Sequence, residues 1–251
     1  MIFCAMLILG ALLGFAGAGG AGLTITMLTV GFGVSIHTAL GVALAAMSFT
    51  MLSGAISHFR EGDVLLHLGL TTGAAGMLGA FLGAHVSDAM PGDILSKMTA
   101  VLMLASSVLL YFILFRKDML DSFVAKHASK AQGASFYVHA LSIGVITGFL
   151  SGAFGIGATA FIQISLMLFF GVSLYHAIGT TMLVILPISI SGGLGYLLNG
   201  HLDFYIFLQT LGGLTIGAYF GAKLTRLASR NVLRYIILCM PTIGGLLLLV
   251  K

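Results

Sequence analysis

Apolar residues in this chain neither alternate nor recur at amphipathic spacing; they run in blocks. Eight blocks can be drawn, at roughly 2–32, 35–57, 64–87, 94–115, 136–170, 172–198, 203–222 and 232–250. Most approach the roughly 20 residues that a helix needs to cross a bilayer. The pattern predicts an all-α integral membrane protein. Blocks one and five are too long for one ordinary crossing, and glycine clusters interrupt both: GFAGAGGAG at 14–22 and GAFGIG at 152–157.

Those two blocks are equivalent, because the chain repeats itself without a gap, position n matching position n + 138. Gly10, Gly14, Gly17 and Gly19 return as Gly148, Gly152, Gly155 and Gly157. Gly33-Val34-Ser35 returns as Gly171-Val172-Ser173, Gly62 as Gly200, and GAFLGA at 79–84 as GAYFGA at 217–222. Positions 10–96 hold 10 glycine coincidences at this offset, against about 3 expected by chance. The implied organisation is a first membrane repeat at 1–115, a linker at 116–135 and a second repeat at 136–251. Such a duplication suits a transporter whose binding site lies where the repeats meet.

Composition narrows the class. Apolar residues make up 59% of the chain and charged residues 7%, with mean hydropathy +1.14, too little polar surface for a water-soluble globule of this length. The net charge of +4 does not indicate a nucleic-acid partner, because the basic residues sit in loops that flank membrane segments. The two cysteines, Cys4 and Cys239, are not repeat mates and provide no disulfide framework.

The basic residues also choose a topology. If every block crossed once, the eleven lysines and arginines would divide 6 to 5 between the two sides. If blocks one and five are instead re-entrant hairpins of two half-length helices, one side collects Arg60, the basic positions from Arg116 to Lys130 and those from Lys223 to Arg234. Only Lys97 and Lys251 then lie opposite, a split of 9 to 2. The positive-inside rule makes the linker cytoplasmic and both termini periplasmic. A hairpin plus three crossings per repeat is an odd count, so the second repeat is expected to be inverted.

Candidate chemistry centres on the glycine clusters. A helix broken inside a membrane exposes N–H and C=O groups, tolerated only where protein buries them or a wet cavity solvates them. The first turn after the break presents N–H donors and the positive end of a helix dipole, which suits an anion. The expected substrate site is therefore the backbone around Gly17, Gly19, Gly20, Gly22, Gly155 and Gly157. Ser53 and Ser191, which are repeat mates, together with Gln163 and Thr181, are the expected side-chain contacts. The GxxxG pairs, by contrast, read as close helix packing. His37, His58, His139 and His176 fall near segment ends, where a half-wet imidazole is the ordinary reading.

No segment interior carries Asp, Glu or Arg, and there is no Walker motif or metal-ligand spacing. Carboxylate cation cages, voltage sensing and direct ATP hydrolysis are disfavoured. The chain is expected to be a non-enzyme with no cofactor or bound metal.

The ordered set of motifs resembles the TauE/SafE sulfite exporter family. It comprises the two glycine-rich segments, each followed by Gly-Val-Ser and by Ala-x-Gly (Ala39 to Gly41, Ala177 to Gly179), then Gly62 or Gly200 and Gly-Ala-x-x-Gly-Ala. The resemblance covers essentially the whole chain. It implies a bacterial inner-membrane permease for sulfur-containing anions: sulfite, sulfoacetate, taurine-related organosulfonates or thiosulfate. It also implies that the pore motif falls on Gly14, Gly17, Gly19, Gly20 and Gly22 in the first half and on Gly152, Gly155 and Gly157 in the second. Ala158 and Ala160 replace the mates of Gly20 and Gly22. The residues themselves point only to a small anion. An exporter working by alternating access, an anion channel and a membrane subunit for thiosulfate or sulfur handling all remain open.

Overall fold

The computed structural model describes residues 1–16, 21–116, 133–225 and 230–250. They form helices joined by short loops: α1 Ile2–Ala16, α2 Ala21–Thr26 running into a π-helical turn at Met27–Gly31, α3 Ile36–Glu61, α4 Leu66–Asp88 and α5 Gly92–Phe115. The second half contributes α6 Ala134–Phe154, α7 Thr159–Phe170, α8 Leu174–Leu198, α9 Phe204–Thr225 and α10 Arg230–Val250. Six of these, α3, α4, α5, α6, α8 and α10, are long and apolar enough to cross a membrane. This is an all-α, multi-pass membrane protein. Gly17, Gly19, Gly20 and most of the linker lie outside the described residues.

The repeat is visible in the helix boundaries. Helices α7, α8, α9 and α10 begin at Thr159, Leu174, Phe204 and Arg230, the repeat mates of Ala21, Ile36, Leu66 and Gly92, where α2, α3, α4 and α5 begin. The shared punctuation explains why. Gly33 and Gly171 hold φ of +68° and +63°, and Gly62 and Gly200 hold +81° and +77°, left-handed values that glycine adopts without steric cost. Ser35 accepts a hydrogen bond from the Thr38 N–H at 3.2 Å, and its mate Ser173 accepts one from His176 N–H at 3.4 Å. These are N-caps for the two central helices.

Small residues then decide which helices touch. Along α4 and α6, Gly144, Gly148 and Gly152 lie on Thr72, Gly76 and Ala80 in parallel register, so that a Cβ at any of the three would overlap the α4 backbone. Helices α1 and α9 pack in the same way, Gly10 on Leu214 and Gly217 on Leu7. The GxxxG glycines thus serve close packing, as their spacing predicts.

Helices that hold the same place in each half run antiparallel. Along α3 and α8, Gly41 meets Tyr196, Ala45 meets Gly193 and Gly54 meets Met182. Along α5 and α10, Met103 meets Gly244 while Phe115 stacks on Tyr235 at 5.0 Å. One face of the molecule collects Asp63, the end of α5 and the starts of α6, α8 and α10. The other collects Asp88, the starts of α1, α3, α5 and α9 and the end of α10.

Helices α6 and α7 form a hairpin that returns to the face it left. Phe170 lies on Phe136 at 5.2 Å and Phe169 on His139 at 5.0 Å, so the two free ends meet. The arms differ from the expected half-length pair, since α6 has 21 residues and α7 has 12. The reason is the place of the break. Gly155, at φ +65°, terminates α6 only after it has reached Tyr196, whose hydroxyl also meets Ser87 near the end of α4. Gly157 and Ala158, at φ +69° and +47°, then turn the chain back.

Candidate functional site

Both returning arms begin beside the middle of a long helix. A Cβ on Gly22, one residue into α2, would lie 2.6 Å from the Met103 methyl group, halfway along α5. Gly157, just before α7, is pressed against Met47, halfway along α3. Ile25 of α2 reaches Gly155. Helix α2 and the second break therefore neighbour one another deep between the long helices.

A cavity of about 190 Å³ opens where they meet, far above the roughly 10–15 Å³ that a single water occupies on this measure. Gly22 and Leu23 border it from the first half, and Ile156, Thr159 and Gln163 from the second. It extends past Ile113 and Leu114 of α5, Leu174 and Ile178 of α8 and Ile237 of α10, and so lies in the Asp63-face half. Four methionines, Met51, Met103, Met182 and Met240, give most of the remaining wall a polarisable, apolar character.

Its polar side chains are Ser106 of α5 and two residues at the start of α7. Thr159 and Gln163 stand one helical turn apart on the same side of that helix. Gln163 is only 7% exposed, lines the cavity, and makes no hydrogen bond to another described residue. Its amide opens onto the cavity without a protein partner, so it marks a place where a ligand or ordered water belongs. The first N–H groups of α7 have no intrahelical acceptors, and no acidic residue occupies that turn. An anion fits this arrangement, and a cation does not.

Of the ten expected contacts, the structure brings Gly22 and Gln163 to the cavity wall, with Gly155 and Gly157 forming the turn behind it. Thr181 is fully buried beside Met182, with a hydroxyl that finds no partner, but it does not line the cavity. Ser191 lies away from it, donating its hydroxyl to the Met77 carbonyl at 2.8 Å and tying α8 to α4. Ser53 is exposed on α3. Thr159 and the methionine wall were not singled out from sequence. The spacing Thr159 to Gln163 signals one helical face, but methionines spread over four helices carry no linear signal.

A second constellation assembles outside the cavity. His58, Glu61 and Asp63, at the turn from α3 to α4, place their ligand atoms within 4.8 Å of one another, although the sequence shows no metal-ligand spacing.

The comparisons with known proteins agree with the membrane architecture. Residues 2–248 match the family described as "Sulfite exporter TauE/SafE". The chain is 44% identical over 251 residues to the probable membrane transporter protein YdhB of Bacillus subtilis, covering 99% of each. It is 27% identical over 230 residues to a probable membrane transporter protein of Xylella fastidiosa, covering 90% of this chain and 85% of that one. No solved structure gives a significant match. Whole-length agreement in sequence, together with helices broken at duplicated glycines, leads to one conclusion: the chain belongs to the TauE/SafE sulfite exporter family of membrane transporters.

Proposed function

We propose that this protein is a secondary transporter that exports small sulfur-containing anions, such as sulfite, sulfoacetate or related organosulfonates, by alternating access at the interface of two inverted repeats. The observation that carries the reading is the Gln163 amide, open to the cavity without a protein partner beside the start of α7, in a wall shared with Gly22 and Ile156. Amide N–H groups, Thr159 and Gln163 hold the anionic head. The apolar methionine wall suits an organic body better than it suits a second charge, which favours organosulfonates within the class.

Inversion is supported by the antiparallel courses of α3 with α8 and of α5 with α10, the pairs that share a place in the repeat. With the Asp63 face cytoplasmic, as the basic residues favour, the cavity is the inward-facing chamber and both termini are periplasmic in a bacterial inner membrane. A carrier is favoured over a channel because the residues on the Asp88 side that correspond to the α8 wall leave little surface exposed. Ile36, Leu40 and Met47, mates of Leu174, Ile178 and Ile185, are all buried.

The test is flux of sulfite, sulfoacetate, taurine and sulfate in proteoliposomes. The expected outcome is saturable uptake that sulfoacetate competes with best. Non-saturable flux would establish a channel, and no flux or binding of any of the four anions would refute the substrate class.

A further inference from the structure

The turn between α3 and α4 carries a feature that substrate transport does not use. Gly62, at φ +81°, caps α3 and folds the chain back. The Asp63 N–H donates to the His58 carbonyl at 3.0 Å and the Gly62 N–H to the Phe59 carbonyl at 3.2 Å. His58 and Glu61 share a helix face at i, i+3 spacing, and the reversal lays Asp63 over the same place. His58 Nδ1 then stands 3.6 Å from Glu61 Oε2 and 3.8 Å from Asp63 Oδ2.

Those distances are too long for hydrogen bonds, yet His58 Nδ1 is shut off from solvent and has no partner. If the nitrogen is unprotonated, its lone pair faces two carboxylates. If it is protonated, it stops short of both acceptors. A cation between the three atoms removes the conflict. Tetrahedral coordination with bonds of about 2.0–2.1 Å puts ligand atoms about 3.3 Å apart, so each carboxylate closes on His58 by a few tenths of an ångström and the two carboxylates, within 4.8 Å of one another, close further by rotation of the exposed Glu61 side chain.

The second half provides an internal control. The same reversal recurs at Gly200, with the His201 N–H on the Tyr196 carbonyl at 2.8 Å and the Gly200 N–H on the Leu197 carbonyl at 3.1 Å. There the mates of His58, Glu61 and Asp63 are Tyr196, Asn199 and His201, and each has a partner: Ser87 with the Ala153 carbonyl, the Ala84 carbonyl, and Asp88. One backbone frame thus carries a satisfied set in one half and an unsatisfied, metal-ligating set in the other.

We propose that His58, Glu61 and Asp63 bind one divalent transition-metal ion of the Zn²⁺ class, for which an imidazole nitrogen with carboxylate oxygens is a suitable ligand set. The ion fastens the end of α3 to the turn at Asp63, which packs against the start of α8. The Asp63 carbonyl lies 3.3 Å from His176 Nδ1, Gly179 packs directly on Asp63, and the Leu65 N–H donates to Thr180 Oγ1 at 3.0 Å. Helix α8 lines the cavity through Leu174, Ile178 and Met182, so occupancy would stiffen its cytoplasmic end.

The test is calorimetric titration of ZnCl₂ into untagged, chelator-stripped full-length protein in detergent, with MgCl₂ in parallel. The expected result is one Zn²⁺ per chain and a rise in melting temperature. Both should be lost in His58→Ala, with affinity at least tenfold lower in Glu61→Gln and unchanged in His201→Ala. Glu61 is 59% exposed, so Glu61→Gln keeps the fold, verifiable by an unchanged circular dichroism spectrum. Absence of stoichiometric Zn²⁺ binding, equal affinity for Mg²⁺, or Zn²⁺ binding unaltered in His58→Ala and Glu61→Gln would each overturn the site.

Discussion

The first turn of α7 and the corresponding stretch of α2 begin at equivalent positions of the repeat and differ in what surrounds them. Beside α7, Thr159 and Gln163 face a cavity bounded by Leu174, Ile178 and Ile185 of α8. Their mates are Ala21 and Ile25, and the mates of the α8 wall are Ile36, Leu40 and Met47; all five are 5% exposed or less. Apolar side chains close a space because dispersion contacts reward filling it, whereas a polar group without a protein partner keeps it wet. Duplication supplied the same run of positions twice. A few side chains decide which of the two stretches faces the cavity.

The contrast can be broken most completely at the second turn. Gly157→Val places a branched side chain at φ +69° against Met47, a combination of left-handed backbone and overlap that costs several kcal/mol locally. Transport is expected to fall to background while the protein still inserts, measured as flux together with yield of folded protein in membranes. Retained flux would make the turn a passive packing element.

A smaller effect is expected at the polar wall. Gln163→Leu removes the amide and gives the second half the apolar character of Ile25. A hydrogen bond to a charged group contributes about 1.5–3 kcal/mol, so anion affinity should weaken about tenfold or more, while thermal stability holds because the amide makes no hydrogen bond to a described residue. Equilibrium binding and a melting curve on the same preparation separate the two. Unchanged affinity would move the anion away from α7.

The mildest comparison sets the repeat mates Ser191 and Ser53 against each other. Ser191→Ala deletes the hydrogen bond to Met77 and should cost about 1 kcal/mol of stability with anion affinity unchanged. Ser53→Ala, on an exposed surface, should stay within about 0.5 kcal/mol. A loss of affinity in either variant would extend the site beyond the cavity.

Much of this architecture was legible along the chain. Apolar blocks predicted helices because in a bilayer every backbone group has to be satisfied internally. Duplicated glycines revealed the repeat, and the structure shows that Gly33, Gly62, Gly171 and Gly200 mark helix ends, where they supply conformations that other residues avoid. Even the broken helices were visible, as two blocks too long to cross once.

The site was legible only in part. Gln163 stood out as a polar residue just past a glycine cluster, and Gly22 as part of one. The sequence could not tell that Ser191 finds a carbonyl on α4, that Ser53 faces outward, or that methionines from α3, α5, α8 and α10 share one wall. Nor did it place Asp63 over His58, because that proximity is made by the reversal at Gly62 rather than by linear spacing. Sequence alone determined the membrane class, the repeat, the approximate apolar segments and the family, since each depends on composition or on the order of residues. Tertiary structure decided where the cavity opens and which polar groups lack partners, because both depend on side chains that meet only after distant helices have packed.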